Sequence, residues 1–188
     1  MSTPIGEIFA KTTEAGNHLA IDSSVFNVFT SNDPELPTEI TTRKDGEARF
    51  PYYIPFDSFV NTIENYPYPF IQAGVCWQFP CVVPSDWEAQ NVQRSNNPDT
   101  VRDMKYALDA TVIKKGIYPL VFHPHGWIRN DQIIELIDHA HSKYGTRVKF
   151  MTFKDCIERI NKNLLKGSSL RAENGSDNGV RLLDLNGD

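Results

Sequence analysis

In the second half of the chain, apolar positions recur every three or four residues and polar ones fill the gaps. Val101, Met104, Leu108 and Val112 fall on one face of a helix that Asn97-Pro98-Asp99 opens and Gly116 ends. The opening has a physical basis. An asparagine oxygen can satisfy a first-turn N–H, proline suits the first helical position, and an acid meets the positive end of the helix dipole. Ile133, Ile134, Leu136, Ile137 and Ala140 repeat the pattern after a cap at Asn130 and stop at Gly145. Ile157, Ile160 and Leu164 repeat it behind Thr152-Phe153-Lys154-Asp155, which has the form of a capping box. Residues 117–122 and 148–151 are apolar runs of strand length. Helix, strand, helix, strand, helix with short connections predicts an α/β fold built on a parallel sheet or barrel.

The first half is less regular. Residues 5–15 read as a short helix closed by Gly16, and residues 18–29 as a strand running into a loop. Inside that strand Asp22-Ser23-Ser24 is a polar island, either a turn held by side chain to backbone bonds or a carboxylate carried at a strand end. Residues 31–97 hold most of the prolines and many aromatics, and predict a folded insertion packed on the domain. Their most apolar part, 75–83, predicts a strand interrupted at Pro80, after which Pro84-Ser85-Asp86-Trp87 sets a carboxylate beside an indole. After Leu165 the run KGSSLRAENGSDNG is polar and reads as a linker, 167–179.

Composition narrows the classes. A chain of 188 residues, 40% hydrophobic and 23% charged, is that of a globular protein large enough for one substantial core. A net charge of -5 and the lack of any basic run argue against nucleic acid. No apolar stretch approaches the roughly 18 residues that span a bilayer, and the first residues lack the pattern of a signal peptide. Of three cysteines, Cys76 and Cys81 flank a turn-rich segment and could pair in an oxidising compartment, while Cys156 reads as a small core residue. His139 and His141 lie two apart on a helix, face different ways, and read as surface residues.

The candidate chemistry lies at residues 120–131. An apolar run ends in His123-Pro124-His125-Gly126-Trp127 and hands over to a helix start. In α/β proteins the carboxyl ends of strands are where ligands and catalytic groups sit.

Three segments together resemble the C-terminal half of a NodB-type polysaccharide deacetylase domain. Gly16-Asn17-His18-Leu19-Ala20-Ile21-Asp22-Ser23-Ser24-Val25-Phe26 is similar to the strand that follows the family's third motif. Trp77-Gln78-Phe79-Pro80 is similar to its W-E-x-P segment, with glutamine in place of glutamate. Phe122-His123-Pro124-His125-Gly126-Trp127 is similar to its fifth motif. The resemblance covers about residues 5–165. It implies a partial, distorted (β/α) barrel of polysaccharide-deacetylase type with a long aromatic- and proline-rich insertion, in a domain spanning residues 1–166. It also departs from the family: the chain has no Asp-Asp pair and no His-x-x-x-His or its one-residue-longer form. Arg49-Phe50-Pro51-Tyr52 imitates the family's arginine motif but falls on the wrong side of Asp22. Asp184-Leu185-Asn186-Gly187-Asp188 is similar to the opening of an FG-GAP or VCBS-type calcium-binding repeat, so residues 180–188 read as the start of one, with Asp184, Asn186 and Asp188 as a partial ligand set. The chain on this reading is a middle piece of a longer protein that continues into a β-propeller.

The resemblance implies that His123 is the general acid, with Asp22 and Asp86 as carboxylates behind it, His125 and Trp127 on the pocket wall, and Trp77 and Trp87 as sugar-stacking faces. It implies an acetylated polysaccharide or oligosaccharide as substrate and a divalent metal, zinc in most of the family, in the full-length protein. No tight metal binding is expected of this chain by itself. It further implies export to the periplasm or the cell exterior. Two alternatives stand beside it: a zinc amidohydrolase with His123 and His125 as ligands, and a non-catalytic carbohydrate-binding module.

Overall fold

The structure, a computed structural model, describes residues 18–54 and 61–182. The expected helix at 5–15 and the oxygen donors Asp184, Asn186 and Asp188 lie outside them. In chain order the elements are β1 (Ile21–Asp22), β2 (Phe26–Val28), α1 (Thr38–Thr41), β3 (Thr62–Glu64), β4 (Phe70–Gln72), β5 (Cys76–Gln78), β6 (Cys81–Val82), α2 (Asp86–Val92), α3 (Pro98–Ile113), α4 (Asn130–Tyr144) and α5 (Phe153–Asn163). Short 3-10 turns lie at Pro51–Tyr53 and Gly145–Arg147. The fold is mixed α/β, with two three-stranded sheets that do not close into a barrel among the described residues. No described helix is long and apolar enough to cross a membrane.

The chain divides into two compact units. The larger takes Ser23–Tyr68 and Phe79–Lys149. Its sheet, in the order β3-β2-β6, is wholly parallel, with Asn27 in register with Ile63 on one side and Val82 on the other. Phe29, Phe50, Tyr53, Val82 and Val83 are buried in one cluster with Ala107 and Ala110 of α3. The opposite face of α3 presents Met104 and Leu108 to Ile128, Ile133 and Leu136, so α3 is apolar on two sides and α4 on one. Each large apolar side chain so buried contributes about 1.5–3 kcal/mol. Arg49 locks α1 to α3: its guanidinium meets Asp103 at 2.7 Å and the carbonyls of Ile40 and Thr42, and lies over the Tyr106 ring. That is a structural anchor.

The smaller unit holds β1, β4, β5 and α5. β5 pairs parallel with β1 and antiparallel with β4. Strands β5 and β6 thus bear out a strand at 75–83 broken at Pro80, and both lie within the stretch expected as an insertion. The polar run after Leu165 turns back on itself: Arg171 and Asp177 form an antiparallel bridge, and Leu170 is buried.

Two local signals for helix starts held. Asn97 caps α3 through its Oδ1 to the Asp99 N–H, and Thr152 and Asp155 form the capping box of α5. Four expectations did not hold. Residues 117–122 form no strand, because Pro119 removes a ladder donor and the Ile117 N–H goes instead to the Pro67 carbonyl at 2.8 Å. Residues 148–151 form none either. Phe150 and Met151 are exposed there, and a strand with neither partner nor buried face has nothing to hold it. The cap of α4 falls on Arg129, whose N–H is taken by Gln132, not on Asn130, and Ile134 and Ile137 face outward. On α5 no residue is buried, so Ile157, Ile160, Leu164 and Cys156 are not core, and Leu164 is 58% exposed.

Candidate active site

Beyond β6 the chain reaches Ser85, whose extended backbone and capping box with Glu88 start α2 at Asp86. Asp86 is 1% exposed. Both of its oxygens are spent on one residue. Oδ2 accepts the backbone N–H of His123 at 2.6 Å, and Oδ1 lies 3.0 Å from His123 Nδ1. A carboxylate only accepts, so Nδ1 carries the proton and Nε2 is the free nitrogen of the ring. The buried carboxylate thus fixes tautomer, ring orientation and backbone together, while the imidazole keeps 39% of its surface open to solvent.

Around that ring the loop supplies aromatics. His125 and Trp127 stand edge to face with centroids 4.2 Å apart, and lie 5.4 and 4.7 Å from the His123 ring. Gly126 turns the loop with φ +105°, a conformation that glycine takes without the penalty of a side chain. Asn96 ties this loop to the start of α3: its N–H donates to the Trp127 carbonyl at 2.8 Å, and its amide donates to the Gly126 carbonyl at 3.1 Å. Gln132 of α4 donates in turn to the Asn96 and Asn97 carbonyls. The loop carrying His123 is therefore held by Asp86 and Asn96, and Gln132 of α4 braces Asn96 in turn.

Other candidate chemistry is closed off. Burial pushes the Cys76 thiol up to about 11 and Cys81 up to about 12, so neither serves as a nucleophile near neutrality. Both are free thiols.

Neither a protein-family model nor a curated sequence nor a solved structure matches the chain. The site therefore stands on its own geometry. Of the residues singled out in the sequence, Asp86, His123, His125 and Trp127 are brought together. Trp87 follows Asp86 on α2, half-buried, its ring 6.2 Å from that of Phe26. Asp22 and Trp77 belong to the smaller unit, where Asp22 ends β1 in register with Gln78 and Trp77 is paired with Ile21. Trp77 is 3% exposed, so it is a core residue and offers no open face to a sugar. His139 is half-buried and not simply solvated: its Nε2 meets the buried carboxylate of Asp109 at 2.7 Å, beside Lys143 at 2.8 Å and Tyr144 at 2.7 Å. A shallow surface depression of about 430 Å³ lies there, lined by Lys105, His139 and Lys143, away from the residues around His123.

The residues described do not fit a zinc site. Among them no three His, Cys, Asp or Glu side chains are grouped to hold a metal. Sequence reasoning missed Asn96, Gln132 and Glu88. Asn96 did carry a signal, since it precedes the helix cap and asparagine tolerates the left-handed φ of +62° that it adopts.

Proposed function

We propose that this chain carries the acid–base element of a polysaccharide-deacetylase-type hydrolase that removes N- or O-acetyl groups from a carbohydrate. His123 is the acid and Asp86 the carboxylate that orients it. The partial, distorted barrel of that family is the architecture this reading implies. One observation carries it: a wholly buried carboxylate grips the ring and the backbone of a half-open histidine. A histidine held this way presents Nε2 in one direction, which is what general acid catalysis needs.

In the step assigned to this chain, the C–N or C–O bond of the tetrahedral adduct breaks as its electron pair returns to the leaving atom. The Nε2–H of the His123 imidazolium passes to that atom. His123 is left neutral with Nδ1–H on Asp86, and the carbonyl of acetate re-forms. The carboxylate stabilises the cationic ring before the transfer and keeps it aimed after it. No step is assigned to a metal, because the described residues form no site for one. His125 and Trp127 supply the apolar ledge on which the C–H face of a sugar ring can lie.

The longest reading frame that contains residues 1–188 is expected, with zinc supplied, to release acetate from acetylated chitooligosaccharides or acetylated xylan. Its His123→Ala form is expected to lose about 10²–10⁴ in kcat. Residues 1–188 alone are expected to release none. Failure of that longer protein to deacetylate any N- or O-acetyl sugar would overturn the reading. A carbohydrate-binding module is the second reading, and the ledge of exposed His125 against Trp127 favours it. It predicts sugar binding, followed by tryptophan fluorescence, that survives His123→Ala and is lost in Trp127→Ala.

A further inference from the structure

We propose that Glu88 is a positioning residue for His123 and acts through Asp86, an assignment that rests on His123 being the acid of the proposed reaction. Asp86 spends both oxygens on His123, so its own place must be set from elsewhere. It is the first residue of α2, and a helix of seven residues does not hold itself in water. The start of α2 is set by Glu88. Its Oε2 accepts the Ser85 N–H at 2.7 Å and also the Ser85 hydroxyl, and that hydroxyl accepts the Trp87 N–H at 3.3 Å. These bonds bracket Asp86 on both sides in sequence and fix the backbone from which its carboxylate projects.

A capping box on a surface keeps its acid hydrated. Glu88 instead is wholly buried, and its Oε1 has no hydrogen-bond partner among the described residues. Burial pushes its carboxyl above the usual range; the Ser85 bonds oppose that and the neighbouring Asp86 adds to it. The other titratable groups facing it are Cys81 of β6 and Tyr118, both held protonated by their own burial. Burying an acid with one oxygen unmet costs stability relative to an apolar residue of similar size. What Glu88 contributes is therefore a fixed geometry, and the geometry it fixes is that of Asp86.

The test is ring-nitrogen NMR on the intact chain labelled with ¹⁵N-histidine. The wild type is expected to show His123 as a single Nδ1–H tautomer. Glu88→Gln is expected to keep that signature, because glutamine also completes a capping box. Glu88→Ala is expected to replace it with the mixed tautomers of a free imidazole, while the His139 signal, set by Asp109, stays in place as the control for folding. If Glu88→Ala loses the His139 signal as well, Ser85→Ala carries the test, since it removes one hydroxyl and leaves the apolar packing alone; the His123 signature must then weaken. An unchanged His123 tautomer in folded Glu88→Ala, or in Ser85→Ala where Glu88→Ala does not fold, overturns the assignment. Acetate release by the longer protein is read separately. Its absence in the wild type would remove the proposed reaction, and the NMR result would still decide whether Glu88 positions the ring.

Discussion

At the scale of the residue, two buried carboxylates among the described residues each hold a histidine, and they differ in what they leave free. Asp109 also takes Lys143 and Tyr144, so its histidine is one of three donors in a knot between α3 and α4. Asp86 has only His123, through two atoms, and the ring stays half open. Asp86→Asn sets an amide NH₂ against one of the two His123 donors, so one bond is lost and a buried donor goes unmet. We expect about 1–3 kcal/mol of destabilisation by urea unfolding. The Arg49–Asp103 pair is deeper, with both side chains almost wholly buried. Arg49→Met leaves Asp103 charged and partly unpaired, and about 3–5 kcal/mol should be lost, read as a drop in the urea midpoint without loss of the His123 tautomer. His123 and Asp86 could be singled out from the sequence because each sits where a short apolar run ends. Their pairing could not, since 37 residues separate them and no local pattern reports the distance. The same gap hid His139: helical spacing showed that His139 and His141 diverge, but not that Asp109, 30 residues earlier, waits on one side.

At the scale of the element, helix ends were more legible than strands: 18–29 and 75–83 do carry strands, 117–122 and 148–151 do not, and the reason is where their bonds go. A helix satisfies itself within four residues, so Asn97, Gly145 and the Thr152–Asp155 box mark real ends. A strand needs a neighbour that the sequence does not name. Residues 117–122 have the apolar content of a strand, yet Ile117 bonds to Pro67 in a connection that pulls two chain segments together. Gly116 makes that approach possible: a Cβ there would stand 2.6 Å from both the Pro67 ring and its carbonyl oxygen. Neither atom can move aside cheaply. Gly116→Ala is therefore expected to cost about 1–3 kcal/mol, seen as a lower Tm. The apolar faces of α4 and α5 separate in the same manner. Leu136→Ala empties a site that is 2% exposed and should cost about 2–5 kcal/mol, whereas Leu164→Glu should stay within about 0.5 kcal/mol of wild type. An equal loss in both, by urea titration, would show that α5 is buried in solution.

At the scale of the whole molecule, the buried carboxyls pull stability in opposite directions as pH changes. Burial pushes Asp109 up, but its bonds to Lys143, Tyr144 and His139 outweigh that and hold it below the ordinary 3.8. Burial likewise raises Asp33, and Lys114 and the Glu35 N–H more than reverse it. A depressed carboxyl contributes stability that is present above its unfolded pKa and is lost as pH falls through the folded one, so both groups weaken the fold below about pH 4. Glu88 is raised above its ordinary 4.5. Its contribution is fully present below the unfolded value and is lost as pH rises through the folded one, so acidification from neutrality strengthens the fold at that site. The two effects leave a maximum on the acid side of neutrality. Urea midpoints measured from pH 3 to pH 8 should trace that maximum. Glu88→Gln should flatten its neutral side, because the amide has no charge to bury, while Asp109→Asn should flatten its acid side at a lower overall stability. A wild-type profile that rises steadily to pH 8 would mean that Glu88 ionises without cost. The carboxyl that starts α2 would then be hydrated in solution, and the rigid placement of Asp86 and His123 would lose its support.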